Sequence, residues 1–165
     1  MTLKFTYATH ADLPAVVAIY NQAIPGRLAT ADLEPVTVAD KEAWFAAYDH
    51  NTRPLWLIQV DDQIAGWVGL EAFYGRPAYA HTAEISIYIA TAFHHQGLGQ
   101  QALDFVISQL PRLDIDTLVA FIFHHNAPSL GLFTHNGFER WAHLPDVALM
   151  DDQLRSLDIL GKRFA

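Results

Sequence analysis

The residues best placed to do chemistry stand in one short run, His94-His95-Gln96-Gly97-Leu98-Gly99-Gln100. It follows a strand-like stretch and opens an amphipathic helical pattern carried by Ala102, Leu103, Val106, Ile107 and Leu110. The first turn of a helix has backbone N–H groups without intrahelical partners and a partial positive charge, so it can hold a phosphate with no basic side chain. Glycines let the main chain approach such a group closely and adopt unusual φ/ψ values. The run lacks the third glycine of a dinucleotide-binding turn and the Gly-Lys-Ser/Thr of a P-loop. Taken alone, a Gly-x-Gly before a helix is more often a plain tight turn.

The segment just before it is Ala83-Glu84-Ile85-Ser86-Ile87-Tyr88-Ile89, in which three isoleucines alternate with Glu84, Ser86 and Tyr88. One face of this strand is therefore apolar and the other polar. Glu71, at the end of an earlier strand-like run, is a second carboxylate that can lie nearby; it also reads as a surface group. Arg76 and Tyr79 occupy the loop between the two, where an arginine can meet a carboxylate bidentately. A solvated loop arginine and a packing tyrosine are the plainer alternatives. Asn126 stands where a helix N-cap is expected.

The pairs His94-His95 and His124-His125 raise the question of a metal. Neighbours in an extended segment point to opposite faces, and no His-x-x-x-His falls on a helix beside an acid. No metal site is expected. Trp44, Trp56, Trp67 and Trp141 read as core or pocket wall rather than as a platform for stacking bases.

The whole chain narrows these options. Its 165 residues suit one domain, residues 1–165. With 52% apolar and 17% charged residues, the composition is that of a globular protein able to bury a core. Ten Lys and Arg against 18 Asp and Glu give a net charge of −8. That disfavours nucleic acid, which is bound through clustered cations, and leaves any phosphate-bearing ligand to local backbone dipoles. There is no cysteine, hence no disulfide framework, no thiolate nucleophile and no Cys-ligated metal. No apolar run of spanning length or secretory type is present. A cytoplasmic protein with no membrane or nucleic-acid partner is expected.

The remaining pattern supplies the elements. The first clear one is a helix from about Asp12-Leu13-Pro14, with Leu13, Val16, Val17, Ile19 and Tyr20 on its apolar side, ended by Pro25-Gly26. Thr37 to Asp40 reads as the cap of a second helix carrying Trp44, Phe45 and Tyr48. Strand-like runs at Leu55 to Val60 and Ile64 to Leu70 flank the hairpin turn Asp61-Asp62-Gln63. Pro111 is expected to stop the third helix. Leu118 to Phe123 is continuously apolar, as in a strand buried on both faces. A short helix runs from Asn126 to Asn136-Gly137, and two strands follow, the second over Leu154 to Leu160. The expected fold is α/β, a mixed sheet flanked by about four helices.

In this order the motifs resemble the GNAT acetyltransferases. His94-x-x-Gly97-x-Gly99 is similar to that family's acyl-CoA pyrophosphate loop, Gln/Arg-x-x-Gly-x-Gly/Ala. Ile87-Tyr88-Ile89 resembles its central strand, and Asn126-x-x-Ser129-x-x-Leu132-Phe133-x-x-x-Gly137-Phe138 its closing signature. Arg76-x-Ala78-Tyr79-x-x-Thr82-x-Glu84, Asn126-Ala127-Pro128-Ser129-Leu130, Ala18-Ile19-Tyr20-Asn21 and Leu157 to Lys162 resemble the phosphinothricin/methionine sulfoximine acetyltransferase branch.

The resemblance implies an acetyl-CoA-dependent N-acetyltransferase acting on small amino-acid-like amines such as phosphinothricin, methionine sulfoximine or sulfone. It also implies direct transfer in a ternary complex and a homodimer. It assigns cofactor contacts to Ile87, Tyr88, Ile89, His94, His95, Gln96, Gly97, Leu98, Gly99, Gln100, Asn126, Ser129 and Phe133. It places Arg76, Tyr79 and Glu84 at the acceptor, with Glu84 as base and a backbone N–H near Tyr88 or Ile89 polarising the acetyl carbonyl. Phe133 departs from the family pattern: a Tyr or His usual there can donate a proton, and Phe cannot. Either the thiolate then leaves without a specific acid, or Tyr88 or water supplies the proton. Two rivals are a CoA-binding regulatory domain with little turnover and a protein or peptide N-acetyltransferase.

Overall fold

The computed structural model describes all 165 residues. Its frame is one seven-stranded sheet in the order β1-β2-β3-β4-β5-β7-β6. The strands are β1 (Leu3–Tyr7), β2 (Leu55–Val60), β3 (Gln63–Ala72), β4 (Thr82–Ile89), β5 (Thr117–Phe123), β6 (Glu139–Met150) and β7 (Gln153–Arg163). The helices are α1 (Leu13–Ala23), α2 (Glu42–Ala46), α3 (Leu98–Leu113) and α4 (Ala127–His135). All neighbouring strands are antiparallel except β4 and β5, which α3 connects as a parallel pair. A parallel pair needs such a crossover because its two strands start at the same end.

The alternation in β4 does what its sequence suggests. Ile85 joins a large core with Leu103, Val106 and Leu110 of α3 and Leu118, Ala120 and Ile122 of β5. Ile87 and Ile89 pack against that core. Fully burying a side chain such as Leu103 or Val106 contributes roughly 1.5–3 kcal/mol, so α3 is held to the sheet by its apolar stripe. On the other side, α1 buries Val16 and Ile19 with Leu55, Leu57 and Trp67.

Several elements differ from expectation. β1 gives no clear signal in the sequence; it is a short strand whose partner, from Leu3↔Val60 to Tyr7↔Trp56, lies about fifty residues away. The predicted cap of α2 is present as a reciprocal pair: the Thr37 N–H donates to the Asp40 carboxylate at 2.9 Å and the Asp40 N–H to Thr37 Oγ1 at 3.1 Å. It opens a 3-10 turn, Ala39–Lys41, and the helix after it ends before Tyr48. Pro111 does not stop α3. The helix runs two residues further to Leu113 and ends where Asp114 turns left-handed at φ 56°. Proline removes only its own N–H donor, a loss the last turn tolerates, and Leu113 and Ile115 are buried beyond it. β5 is not covered on both faces throughout, because Phe121 remains 39% exposed.

Candidate active site

β4 and β5 are paired only at Thr82↔Thr117, Ala83↔Leu118 and Glu84↔Val119. Beyond Glu84 they diverge, and the edge of β4 from Ile85 to Ile89 has no partner on that side. A cavity of about 560 Å³ opens in the gap. Ile85 to Ile89 form one wall and Ala120, Phe121 and Ile122 the other, with Phe133 and Leu132 of α4 and the start of α3 completing it. Unpaired strand amides and carbonyls thus face a long, largely apolar slot, which suits a ligand arm with its own amide groups.

At one end of the slot stands the glycine turn. Gly97 is the N-cap of α3, left-handed at φ 76° and ψ 13°, and no side chain caps the helix. The first amides of α3 are therefore free to meet an anion. A Cβ on Gly97 would find nothing within 4 Å, so glycine is required by the backbone angle rather than by crowding. His94, His95, Gly97, Leu98, Gly99 and Gln100 all line the cavity.

The side chains of His94 and Gln100 have other partners. The His94 ring is turned back, Nε2 donating to the Ile89 carbonyl at 2.9 Å. Gln100 and Asn136 exchange two amide hydrogen bonds of 2.8 Å, tying α3 to α4. Gln96 is exposed and not part of the lining, because it sits between two left-handed residues, His95 and Gly97, that turn it outward. The turn thus offers a ligand its main chain more than its side chains. Asn126 accepts from the Ser129 N–H at 3.2 Å and donates to the Leu28 carbonyl at 3.1 Å. It is both the cap of α4 and a strap on the loop covering the slot. Phe133 is buried and packs on Phe138, ring centroids 4.9 Å apart.

A second, smaller cavity of about 290 Å³ adjoins the slot through Ser86 and Tyr88, which line both. Its other walls are Val16, Val17, Tyr20, Lys41, Trp44, Trp67, Glu71 and Glu84. Glu71 and Glu84 are direct partners across β3 and β4. Burial, then repulsion from Glu71, raises Glu84 from 4.5 to about 7. Glu71 is also raised by burial, while the Trp44 indole and the Lys41 ammonium pull it back. Of the two carboxylates Glu84 is the one pushed to about 7, where a general base operates best. Tyr88 stacks on Trp67 at 4.7 Å and donates its hydroxyl to the Ala29 carbonyl at 3.1 Å. Burial, followed by the neighbouring Tyr20, pushes its phenol well above the ordinary value. Tyr20, hydrogen-bonded to Thr30 and Asp32, is pushed to about 12, mainly by burial.

Arg76 and Tyr79 do not reach this pocket within the chain. Both are exposed and line a separate depression with Arg53, His81, Arg112 and Asp114, because the 3-10 turn Pro77–Tyr79 carries them away from the strand end. The cation that the fold does bring to the carboxylates is Lys41. Its Nζ lies 4.9 Å from the Tyr20 ring centroid and 5.4 Å from that of Trp44. Nothing in the sequence marks Lys41, which reads as an ordinary lysine at a helix start.

The comparisons agree with this geometry. The family described as Acetyltransferase (GNAT) domain matches residues 2–139. The Bacillus subtilis (strain 168) protein named "Putative phosphinothricin acetyltransferase YwnH" is 46% identical over 166 residues, covering all of both chains. The L-methionine sulfoximine/L-methionine sulfone acetyltransferase of Pseudomonas paraeruginosa is 36% identical, covering 89% of this chain and 86% of its own. A solved yncA acetyltransferase from Salmonella typhimurium, with its cofactor acetyl-CoA, superimposes with a TM-score of 0.90 at 24% identity, over all of this chain and 95% of that one; this likeness speaks to the fold. The chain belongs to the GNAT acetyltransferase family and is an acetyl-CoA-dependent N-acetyltransferase.

Replacing Gly97 by Val tests the turn. A side chain forced into the left-handed region stores about 1–3 kcal/mol, so the free protein relaxes the turn and the Kd for acetyl-CoA rises roughly 5–150-fold. Calorimetry measures it. An unchanged Kd would show that the turn does not hold the cofactor.

Proposed function

We propose that this enzyme acetylates the amine of a small amino-acid-like acceptor of the phosphinothricin or methionine sulfoximine/sulfone type, by direct transfer in a ternary complex. The observation that carries this is the pair of adjoining cavities, one long and apolar, the other small and holding two carboxylates and one cation. The names of the relatives from Bacillus and Pseudomonas support the acceptor class. A pocket of about 290 Å³ suits a small molecule better than a peptide end.

In this scheme the pyrophosphate of acetyl-CoA sits on the main-chain N–H groups of residues 95–100, and its pantetheine arm runs along Ile87 to Ile89. The acceptor's amine lies at Glu84 and its carboxylate at Lys41. Glu84 takes the ammonium proton, directly or through water. The free amine attacks the thioester carbonyl carbon; the C–N bond forms, and a backbone N–H near Tyr88 or Ile89 stabilises the oxyanion. Glu84, having released its first proton to solvent, takes the surplus amine proton as the C–S bond breaks, and the CoA thiolate takes a proton from water or from the Tyr88 phenol, which regains one from solvent. No cysteine is present to carry the acetyl group, which suits transfer without a covalent intermediate.

The pH dependence follows from Glu84. In the unfolded chain it titrates near 4.5, in the fold near 7. The folded state therefore binds more protons between these values, and the stability this group contributes falls as pH rises through that window. Its active, ionised form accumulates above about 7. We expect kcat/KM to rise with pH through about 7. Glu84→Gln should lose that inflection and lower kcat ~10²–10⁴-fold with CoA affinity retained. Pre-steady-state and pH-rate measurements decide this, and an unaltered profile in the variant would remove Glu84 from the base role.

Lys41→Met should raise KM for amino-acid acceptors at least ~10-fold, the loss expected for a charged hydrogen bond of about 1.5–3 kcal/mol. The KM for the matching decarboxylated amine should change little. Equal effects on both substrates would show that Lys41 does not hold the carboxylate.

The functional unit is a homodimer in the cytoplasm. Phe121, Trp141 and Leu144 are 39%, 50% and 36% exposed, and by strand register they share one face of the β5–β7–β6 end of the sheet, away from α1, which packs on β3 and β4. A second copy covers this apolar face. Sedimentation velocity should give the mass of two chains, and Trp141→Arg should shift it toward one. A wild-type chain that sediments as a monomer at micromolar concentration would refute the assembly.

A further inference from the structure

Away from the active site, three strands bring together groups that no local pattern connects. His124 follows the end of β5, His143 lies on β6 and Asp158 on β7 between them. His143 and Asp158 are direct cross-strand partners, and the His124 N–H pairs with the Ser156 carbonyl of β7. His124 Nδ1 is 2.8 Å from one carboxylate oxygen of Asp158 and His143 Nδ1 is 2.5 Å from the other. Asp158 is 2% exposed, whereas the two imidazoles are 54% and 35% exposed. His125 faces the opposite way, its Nε2 donating to the Arg27 carbonyl.

The buried carboxylate is the unusual member of this set. Burial alone raises its pKa, yet the two histidine hydrogen bonds outweigh that and leave it below the ordinary range. An ionised carboxylate only accepts, so each imidazole donates through Nδ1. Two nitrogens and a carboxylate thus converge from one side, and the three ligand atoms lie within 4.8 Å of one another. A divalent transition ion with imidazole and carboxylate ligands sits about 2.0–2.2 Å from each donor. Seating it tetrahedrally at those bond lengths requires the N···O separations to open from 2.5 and 2.8 Å to about 3.3 Å.

We propose that His124, His143 and Asp158 form a site for a first-row divalent transition ion, zinc foremost. The ion takes the place of the two bridging protons. Each imidazole moves its proton from Nδ1 to the exposed Nε2, so no proton is lost on balance, and Asp158 stays ionised. Three protein ligands leave a fourth position to water. Bound there, the ion clamps the ends of β5, β6 and β7 together. Imidazole with carboxylate suits Zn²⁺, Co²⁺ or Ni²⁺ and disfavours Mg²⁺, which keeps to oxygen ligands. The sequence gives no expectation of a metal here, since the three residues are separated by 19 and 15 positions and are joined only by strand pairing.

The test uses tag-free full-length protein stripped with chelator and titrated with Co²⁺, with Zn²⁺ in competition. One saturable equivalent should bind, with the visible spectrum of a low-coordinate cobalt site and a rise in unfolding temperature. Nitrogen NMR of the histidine rings should show His124 and His143 switching from the Nδ1–H to the Nε2–H tautomer. His124→Ala and His143→Ala, both at accessible positions, should abolish the tight equivalent. Asp158→Asn should weaken it by more than the ~10–100-fold seen when an outer partner of a ligand is lost. Acetyl-CoA binding by each variant reports that the fold is intact. Weak, unsaturable binding unaffected by the two histidine changes, or ring signals that do not move, would overturn the site.

Discussion

The active site depends on a sheet that stops pairing. After Glu84↔Val119 the two parallel strands separate, and the main-chain groups of Ile85 to Ile89 that would have met β5 are left to a ligand. Unpaired backbone groups are costly when they are also cut off from water. The open cavity leaves them accessible to water, and in the proposed scheme the amide groups of acetyl-CoA complete the ladder. The core of α3, β4 and β5 holds the paired half rigid, which fixes the angle at which the unpaired half opens. Binding and fold thus share one element, β4, with isoleucines turned to the core and Glu84, Ser86 and Tyr88 turned to the acceptor pocket.

The same arrangement accounts for how a chain of net charge −8 holds a polyanionic cofactor. Two side chains of the turn from His94 to Gln100 are committed to the protein itself, His94 to the Ile89 carbonyl and Gln100 to Asn136. What remains is the left-handed Gly97 and the open N-terminus of α3. Charge is used more sparingly at the acceptor end, where two carboxylates face each other and a single lysine stands over two aromatic rings. Burial first, and then repulsion from the opposing Glu71 carboxylate, place Glu84 near neutrality.

Much of this is legible in the sequence because it is local. The Gly97-Leu98-Gly99 turn, the alternation of β4, the Asn126 cap and the two final strands each declare themselves within a dozen residues. What is not legible arises from distant pairing. β1 is a strand only because β2 accepts it, and Pro111 stays inside α3 because Leu113 and Ile115 are buried after it. Glu71 reads as a surface group, yet cross-strand register sets it against Glu84. Lys41 has no local mark at all and enters the pocket through the loop that ends in the Thr37–Asp40 cap. Arg76 and Tyr79 show the reverse: a motif with the right residues, carried by a 3-10 turn to a different surface of the chain.

The central claim is that main-chain donors at the junction of β4 and α3 grip the cofactor's pyrophosphate. Amide NMR during titration with acetyl-CoA, set beside S-acetylpantetheine, tests it most directly. The amides of residues 97–100 should move strongly downfield with acetyl-CoA and stay in place with the thioester that lacks the pyrophosphate, while Ile87 to Ile89 respond to both. Amides at the turn that remain still under saturating acetyl-CoA would contradict it.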